Sequence, residues 1–180
     1  MARKPPAGTS CIDHTREPDT SIDIKTASGR SLAPVVFLDF DGVTHPECCK
    51  TERLFTSVPL IEEVLRRHPS VEVVISSSWR EHHPLSELRA FFSHDMSHRV
   101  VGVTPVTSRH RAEPGPAAVR ETECLTWLAA NRPDHPWIAI DDVTWIFSPG
   151  CPNLLLTHHR VGFTRLNADQ LHSILERLSS

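Results

Sequence analysis

Two pairs of acidic residues each follow a short apolar run in this sequence. Asp39 and Asp41 follow one run, and Asp141 and Asp142 follow another. Carboxylates placed directly after a buried segment are costly unless a partner compensates their charge. A divalent cation does so economically, and Mg²⁺ prefers oxygen ligands. Gly42 follows the first pair and allows the backbone to turn sharply. The spacing therefore predicts a divalent metal site if the two runs lie side by side.

A hydroxyl cluster and an arginine follow a third apolar run. Ser76 and Ser77 come directly after it, and Arg80 follows shortly behind. One aromatic residue lies between the serine cluster and Arg80, so Arg80 would reach a substrate bound there. A serine run is otherwise typical of a turn, and Arg80 would equally well pair on the surface with Glu81 or Glu87. The joint placement of acids and hydroxyls favours a common site.

The apolar runs predict five buried strands of a parallel sheet. They cover residues 35–38, 71–75, 99–103, 137–140 and 153–156. Apolar stripes at helical spacing alternate with them. The stripes contain Leu60, Ile61, Val64 and Leu65; Leu85, Leu88, Phe91 and Phe92; Cys124, Leu125, Leu128 and Ala129; and Leu171, Ile174, Leu175 and Leu178, after an N-cap predicted at Asn167. In such a fold the ligand crevice lies beyond the carboxyl ends of the strands.

Composition limits the broad class of protein. A chain of 180 residues with net charge −3 suits one soluble domain and lacks a strongly basic coat. No apolar run approaches the ~18 residues that span a bilayer. Residues 1–33 are expected to form a flexible tail and residues 34–180 the domain. Five cysteines without a CxxC pair predict neither a zinc ribbon nor a disulfide framework, which favours the cytoplasm.

Four segments resemble the haloacid dehalogenase-like (HAD) superfamily of phosphotransferases. They read LDFDGV at residues 38–43, ISSSWR at 75–80, ECLTWL at 123–128 and IDD at 140–142. The combination is similar to the HAD domain of Swiss Army Knife RNA repair proteins. The resemblance implies a Rossmann-like α/β fold with a five-stranded parallel sheet flanked by helices. It also implies Mg²⁺-dependent phosphomonoester hydrolysis through an aspartyl-phosphate.

The resemblance also implies roles for individual residues. Asp39 would be the nucleophile, and Asp41 would protonate the leaving group and then deprotonate water. Asp39, together with the backbone carbonyl of Asp41, would also contact the metal. Ser76 would bind the phosphoryl oxygens, with Ser77 as the alternative if the strand runs one residue longer.

The same resemblance leaves the remaining metal ligand and the cation open. Asp141 or Asp142 would hold Mg²⁺, with Asp141 slightly favoured. The family's cation is usually lysine, but Lys50 is the only lysine in residues 34–180 and comes too early. Arg120 is therefore expected to serve, with Arg111 as the alternative, because an arginine supplies the same charge.

Short connections predict a capless domain with a minimal flap. Sixteen residues separate Val43 from Leu60, which leaves no room for a folded cap, and residues 104–119 are also too few. An open crevice suits a bulky substrate such as a nucleic-acid end, and Arg109, His110 and Arg111 would reach its backbone.

Three functions fit these features. The leading one is a phosphatase acting on phosphorylated RNA or other nucleic-acid ends, alongside partners in a repair system. The second is a phosphatase for a nucleotide or sugar phosphate. The third is a weakly catalytic module that binds phosphorylated ends in a repair assembly. The pattern specifies no oligomeric state.

Overall fold

Five parallel strands form the sheet that positions the predicted site. The computed structural model describes residues 32–107 and 118–180. The strands are β1 (Val35–Leu38), β2 (Glu72–Ile75), β3 (Val100–Val103), β4 (Trp137–Asp141) and β5 (Leu154–Leu156). Their order is β3-β2-β1-β4-β5, and every neighbouring pair is parallel. The predicted five-stranded parallel sheet is confirmed.

Helices cover both faces of the sheet. They are α1 (Val58–Arg67), α2 (Leu85–Arg89), α3 (Val119–Asn131) and α4 (Arg165–Leu178). The second apolar stripe outlasts its helix, because α2 ends before Phe91 and Phe92. Those two rings join the core from the turns that follow.

The predicted N-cap of the last helix is corrected by one turn. Thr164 caps α4, and Asn167 is the third helical residue. The Thr164 hydroxyl accepts a hydrogen bond from the backbone N–H of Asn167, and the Asn167 side chain accepts one from the Thr164 backbone. Asparagine thus takes the place that Glu or Gln usually fills in a capping box.

The alternation of side chains along β1 builds two cores. Val36 and Leu38 join the cluster that contains residues of α1 and α4. Val35 and Phe37 join the cluster that contains residues of α3. Successive side chains on a strand point to opposite faces, so a continuous apolar run is required where both faces are covered.

The strand order reverses between β1 and β4, which fixes where a ligand crevice lies. Chain connections leave the two strands in opposite directions along the sheet, so a gap opens beyond their carboxyl ends. Asp39 directly follows β1 and Asp141 ends β4. Residues 39–57, between β1 and α1, hold a 3₁₀ turn and an isolated bridge but no cap domain.

Some sequence predictions fall outside the described residues. Apart from residues 32 and 33, the predicted tail lies there, as do Arg109, His110 and Arg111. Within the described ranges, no helix combines the length and apolar character needed to cross a membrane.

Candidate active site and metal centre

Three carboxylates meet at the carboxyl ends of β1 and β4. One oxygen from each of Asp39, Asp141 and Asp142 lies within 4.8 Å of the others. The backbone N–H of Asp39 donates to the carbonyl of Ile140 at 3.1 Å, and this hydrogen bond joins the carboxyl ends of β1 and β4. Asp39 and Asp141 are buried, and Asp142 is partly buried. Asp39 of the first acidic pair therefore converges with both acids of the second pair.

Burial and repulsion from neighbouring carboxylates disfavour the charged forms of Asp141 and Asp142. Burial, followed by the nearby charge of Asp39, raises the pKa of Asp141 to about 7, although Arg120 and the Val143 N–H oppose the rise. The same two causes raise the pKa of Asp142. A cluster of this kind is stabilised by a cation that shares its oxygens.

The donor set fits a hard divalent cation. Among the described residues, Oδ2 of Asp141 is buried and accepts no hydrogen bond, although the Arg120 guanidinium lies 3.5 Å away. Its other oxygen accepts from the Val143 N–H at 2.9 Å. A buried oxygen without a hydrogen-bond partner is costly, and metal coordination would satisfy it. Oxygen-only ligands favour Mg²⁺ over zinc.

Gly42 provides the space that Asp142 occupies. Its φ is +69°, and a Cβ built there would lie 2.2 Å from Oδ2 of Asp142. The Thr157 hydroxyl donates to the Gly42 carbonyl at 2.7 Å, so the turn after β1 is anchored to the residue after β5. Glycine is therefore needed for both its backbone conformation and its missing side chain.

Among the described residues, Arg120 is a cation that lies beside the acid cluster. It lies in the first turn of α3, is 8% exposed, and its Nη1 is 3.4 Å from Asp39 and 3.5 Å from Asp141. Burial alone would lower the pKa of Arg120, but the charges of Asp39 and Asp141 outweigh it and raise the pKa. The guanidinium thus stays charged beside the acids.

Arg80 stabilises the loop after β2 through hydrogen bonds and an ion pair. Its side chain is 2% exposed and forms an ion pair with Glu123 at 2.6 Å, instead of the surface pairs with Glu81 or Glu87 considered from sequence. It also donates to the carbonyls of Ser77 and Thr104. Arg80 therefore holds protein groups rather than presenting its guanidinium to solvent.

Both serines are buried, and different contacts position them. Ser76 is the first residue after β2, and its backbone N–H donates to Leu38 at the end of β1, which places Ser76 next to Asp39. The Ser77 hydroxyl accepts a hydrogen bond from the backbone N–H of Trp79 at 3.4 Å. The strand ends at Ile75, so the condition that favoured Ser77 is not met.

Asp41 stands apart from the three-acid cluster. Its Oδ2 accepts from the Trp79 indole N–H at 2.9 Å, and its Oδ1 contacts Nε2 of His45 at 3.1 Å. The hydrogen bond with His45 lowers the pKa of Asp41, with help from that of Trp79 and against the effect of burial.

Sequence reasoning assigned neither His45 nor Trp79 to the site. The signal for His45 was its position four residues after Asp41, on the same turn. Trp79 is partly buried and packs against the core, and its indole N–H donates to Asp41. That contact joins residues 38 apart in the chain, which spacing alone does not reveal.

Comparison with known proteins decides the family. Residues 35–168 match the family described as the HAD domain in Swiss Army Knife RNA repair proteins. The chain belongs to this family. No curated protein sequence matches it significantly. The match covers the sheet and the acid cluster of this HAD domain. HAD domains are usually phosphohydrolases, and the cluster is suited to hold their metal.

Proposed function

We propose that this HAD domain is a Mg²⁺-dependent phosphomonoesterase that acts through an aspartyl-phosphate on phosphorylated RNA ends. The observation that carries the proposal is the position of Asp39. It is buried within the acid cluster and faces the Arg120 guanidinium at 3.4 Å. A carboxylate beside a fixed cation, at the switch point of a parallel sheet, is arranged to attack a phosphoryl group.

The first chemical step transfers the phosphoryl group to Asp39. A carboxylate oxygen of Asp39 forms a bond to phosphorus while the bond to the ester oxygen breaks. That oxygen keeps the electron pair and takes a proton from the Asp41 carboxyl group, so an alcohol leaves. Arg120 and Ser76 would hold the phosphoryl oxygens.

The second step regenerates the enzyme. A water oxygen attacks phosphorus and gives a proton to the Asp41 carboxylate. The bond between phosphorus and Asp39 breaks, which releases phosphate and restores the carboxylate. Mg²⁺ held by Asp39, Asp141 and Asp142, with the Asp41 carbonyl as a further ligand, would compensate the negative charge of the phosphoryl group and the acids.

Two features support an RNA end as the substrate. The family is described by its occurrence in RNA repair proteins. In addition, Trp145 follows Asp142 by three residues in the loop after β4, and 76% of its surface is exposed. An exposed indole in a loop that follows a strand-end acid is suited to stack on a nucleobase.

A substrate panel tests the proposal. Phosphate release would be measured from oligonucleotides that carry 5′-, 3′- or 2′-phosphates and from mononucleotides, with Mg²⁺ or with EDTA. We expect Mg²⁺-dependent release from an oligonucleotide and none from Asp39→Asn. Faster release from mononucleotides would favour a small-molecule phosphatase. Tight binding of phosphorylated ends without release would favour a binding module.

A further inference from the structure

Both carboxylate oxygens of Asp41 are engaged by separate donors. The Trp79 indole N–H holds Oδ2 at 2.9 Å, and Nε2 of His45 holds Oδ1 at 3.1 Å. The Asp41 side chain is nevertheless 45% exposed. An exposed carboxylate would otherwise rotate freely, whereas one donor on each oxygen fixes the plane of the group.

His45 is itself fixed so that it donates to Asp41. It is 1% exposed, and its Nδ1 lies 3.3 Å from the backbone nitrogen of Phe55. A backbone N–H can only donate, so Nδ1 accepts and the ring proton of neutral histidine sits on Nε2. The Thr44 hydroxyl also contacts Nδ1, at 2.9 Å.

Trp79 is held by ring packing. Its ring meets Phe40 and Phe91 edge-to-face, with centroids 5.8 Å and 5.7 Å away. His83 stacks on it at 5.4 Å. The indole therefore has little freedom to turn away from Asp41. The hydrogen bond is a fixed feature of the site rather than a surface contact.

We propose that Trp79 and His45 are positioning residues that reserve Asp41 for proton transfer. The two hydrogen bonds hold the Asp41 carboxylate outside the cluster of Asp39, Asp141 and Asp142, in one orientation from which it would serve the leaving oxygen. The inference rests on the proposed function and deepens it. It predicts that the pair selects for esters whose leaving oxygen needs a proton, such as those of sugar hydroxyls.

The dependence of rate on the leaving group tests this role. Trp79→Phe keeps an aromatic ring and removes the N–H. For an alkyl phosphate such as glycerol phosphate, kcat/KM is expected to fall on the order of 10- to 100-fold. For p-nitrophenyl phosphate, whose phenolate leaves without a proton, we expect it to stay within about twofold. We compare kcat/KM because this ratio does not depend on the later hydrolysis of the aspartyl-phosphate, a step that is the same for both esters.

Trp137→Phe is the matched control. Trp137 packs edge-to-face on Phe37 at the opposite end of β4, so this substitution should change neither rate selectively. Equal losses for both esters in Trp79→Phe, or no loss for either, would overturn the inference while leaving the phosphatase intact. Release of phosphate by the wild-type protein neither from these esters nor from any phosphorylated oligonucleotide would overturn the proposed function and the inference together.

A second readout does not depend on turnover or on the folding of Trp79→Phe. In ¹H–¹⁵N spectra of the metal-free protein, Asp41→Ala should move the Trp79 indole resonance more than those of the other three tryptophans. An unmoved Trp79 resonance would show that the hydrogen bond is absent, and the positioning role would then be rejected.

Discussion

The space reserved by Gly42 gives the sharpest test of the metal centre. In Gly42→Ala, the new Cβ would lie 2.2 Å from Oδ2 and 2.4 Å from Cγ of Asp142, whereas real Cβ atoms essentially never approach closer than 3.0 Å. The Asp142 carboxylate must therefore rotate or retreat by roughly 1 Å, an error that active-site geometry rarely tolerates. One of the three clustered oxygens would leave the site.

Two separate losses are expected from this substitution. The left-handed backbone conformation costs alanine about 1–2 kcal/mol of folding free energy. The displaced carboxylate should weaken Mg²⁺ binding on the order of 10- to 100-fold, as disruption around a metal ligand typically does. The first loss is measured by urea unfolding without metal, and the second by calorimetric titration with Mg²⁺.

Gly150→Ala separates the two effects. Gly150 has a similar φ of +73°, but a Cβ there would meet nothing within 4 Å. It should therefore lose about 1–2 kcal/mol of stability and keep its Mg²⁺ affinity. If Gly42→Ala bound Mg²⁺ as tightly as Gly150→Ala does, the assignment of Asp142 to the metal centre would be refuted.

Four further predictions concern the cation, the fold, pH and the substrate. Arg120→Met should lower kcat/KM by about 10²–10³-fold, whereas Arg120→Lys, which keeps the positive charge, should lower kcat/KM less. An equal loss of kcat/KM in the two variants would argue against a role for the charge. Arg99→Met should lower the free energy of unfolding by about 2–4 kcal/mol, measured with urea, because the buried guanidinium donates to backbone carbonyls around the end of α1. Burial and the adjacent His172 lower the pKa of His68. The folded protein therefore binds fewer protons than the unfolded chain, and its free energy of unfolding should fall as pH drops below about 6.5. His68→Gln should weaken this pH dependence in unfolding curves measured between about pH 8 and pH 5. Trp145→Ala should raise KM for a phosphorylated oligonucleotide roughly 5- to 150-fold and leave KM for p-nitrophenyl phosphate unchanged. If the wild-type protein and Trp145→Ala had equal KM values for the oligonucleotide, stacking on Trp145 would be excluded.

The fold and the acid cluster were predictable because short-range patterns encode them. The apolar run before Asp39 predicts a strand covered on both faces, and β1 is such a strand. Strand-end acids on neighbouring parallel strands lie at one edge of the sheet. The sequence left open whether the strands before Asp39 and Asp141 are neighbours, and the structure shows that β1 and β4 pair. Arg120 was expected from the family resemblance, from its place ahead of a helical stripe and from the shortage of lysine, with Arg111 as the alternative. The structure places Arg120 beside Asp39 and Asp141, and Arg111 lies outside the described residues.

The remaining features depend on contacts distant in sequence. Arg80 pairs with Glu123 across 43 positions, so its burial could not be read from its neighbours. The Trp79 contact with Asp41 likewise joins residues 38 positions apart, in the segments that follow the neighbouring strands β1 and β2. The wrong prediction of an N-cap at Asn167 has a local cause. Asparagine is a strongly preferred N-cap residue, but here it fills the third helical position of α4.

A covalent phosphoryl group on Asp39 is the most direct test of the central claim. The protein would be mixed with a phosphorylated oligonucleotide and Mg²⁺, quenched in acid within milliseconds, and digested for mass spectrometry. The account predicts a hydroxylamine-labile phosphoryl group on the peptide that contains Asp39, and neither label nor phosphate release in Asp39→Asn. Mg²⁺-dependent phosphate release that persists in Asp39→Asn would contradict it.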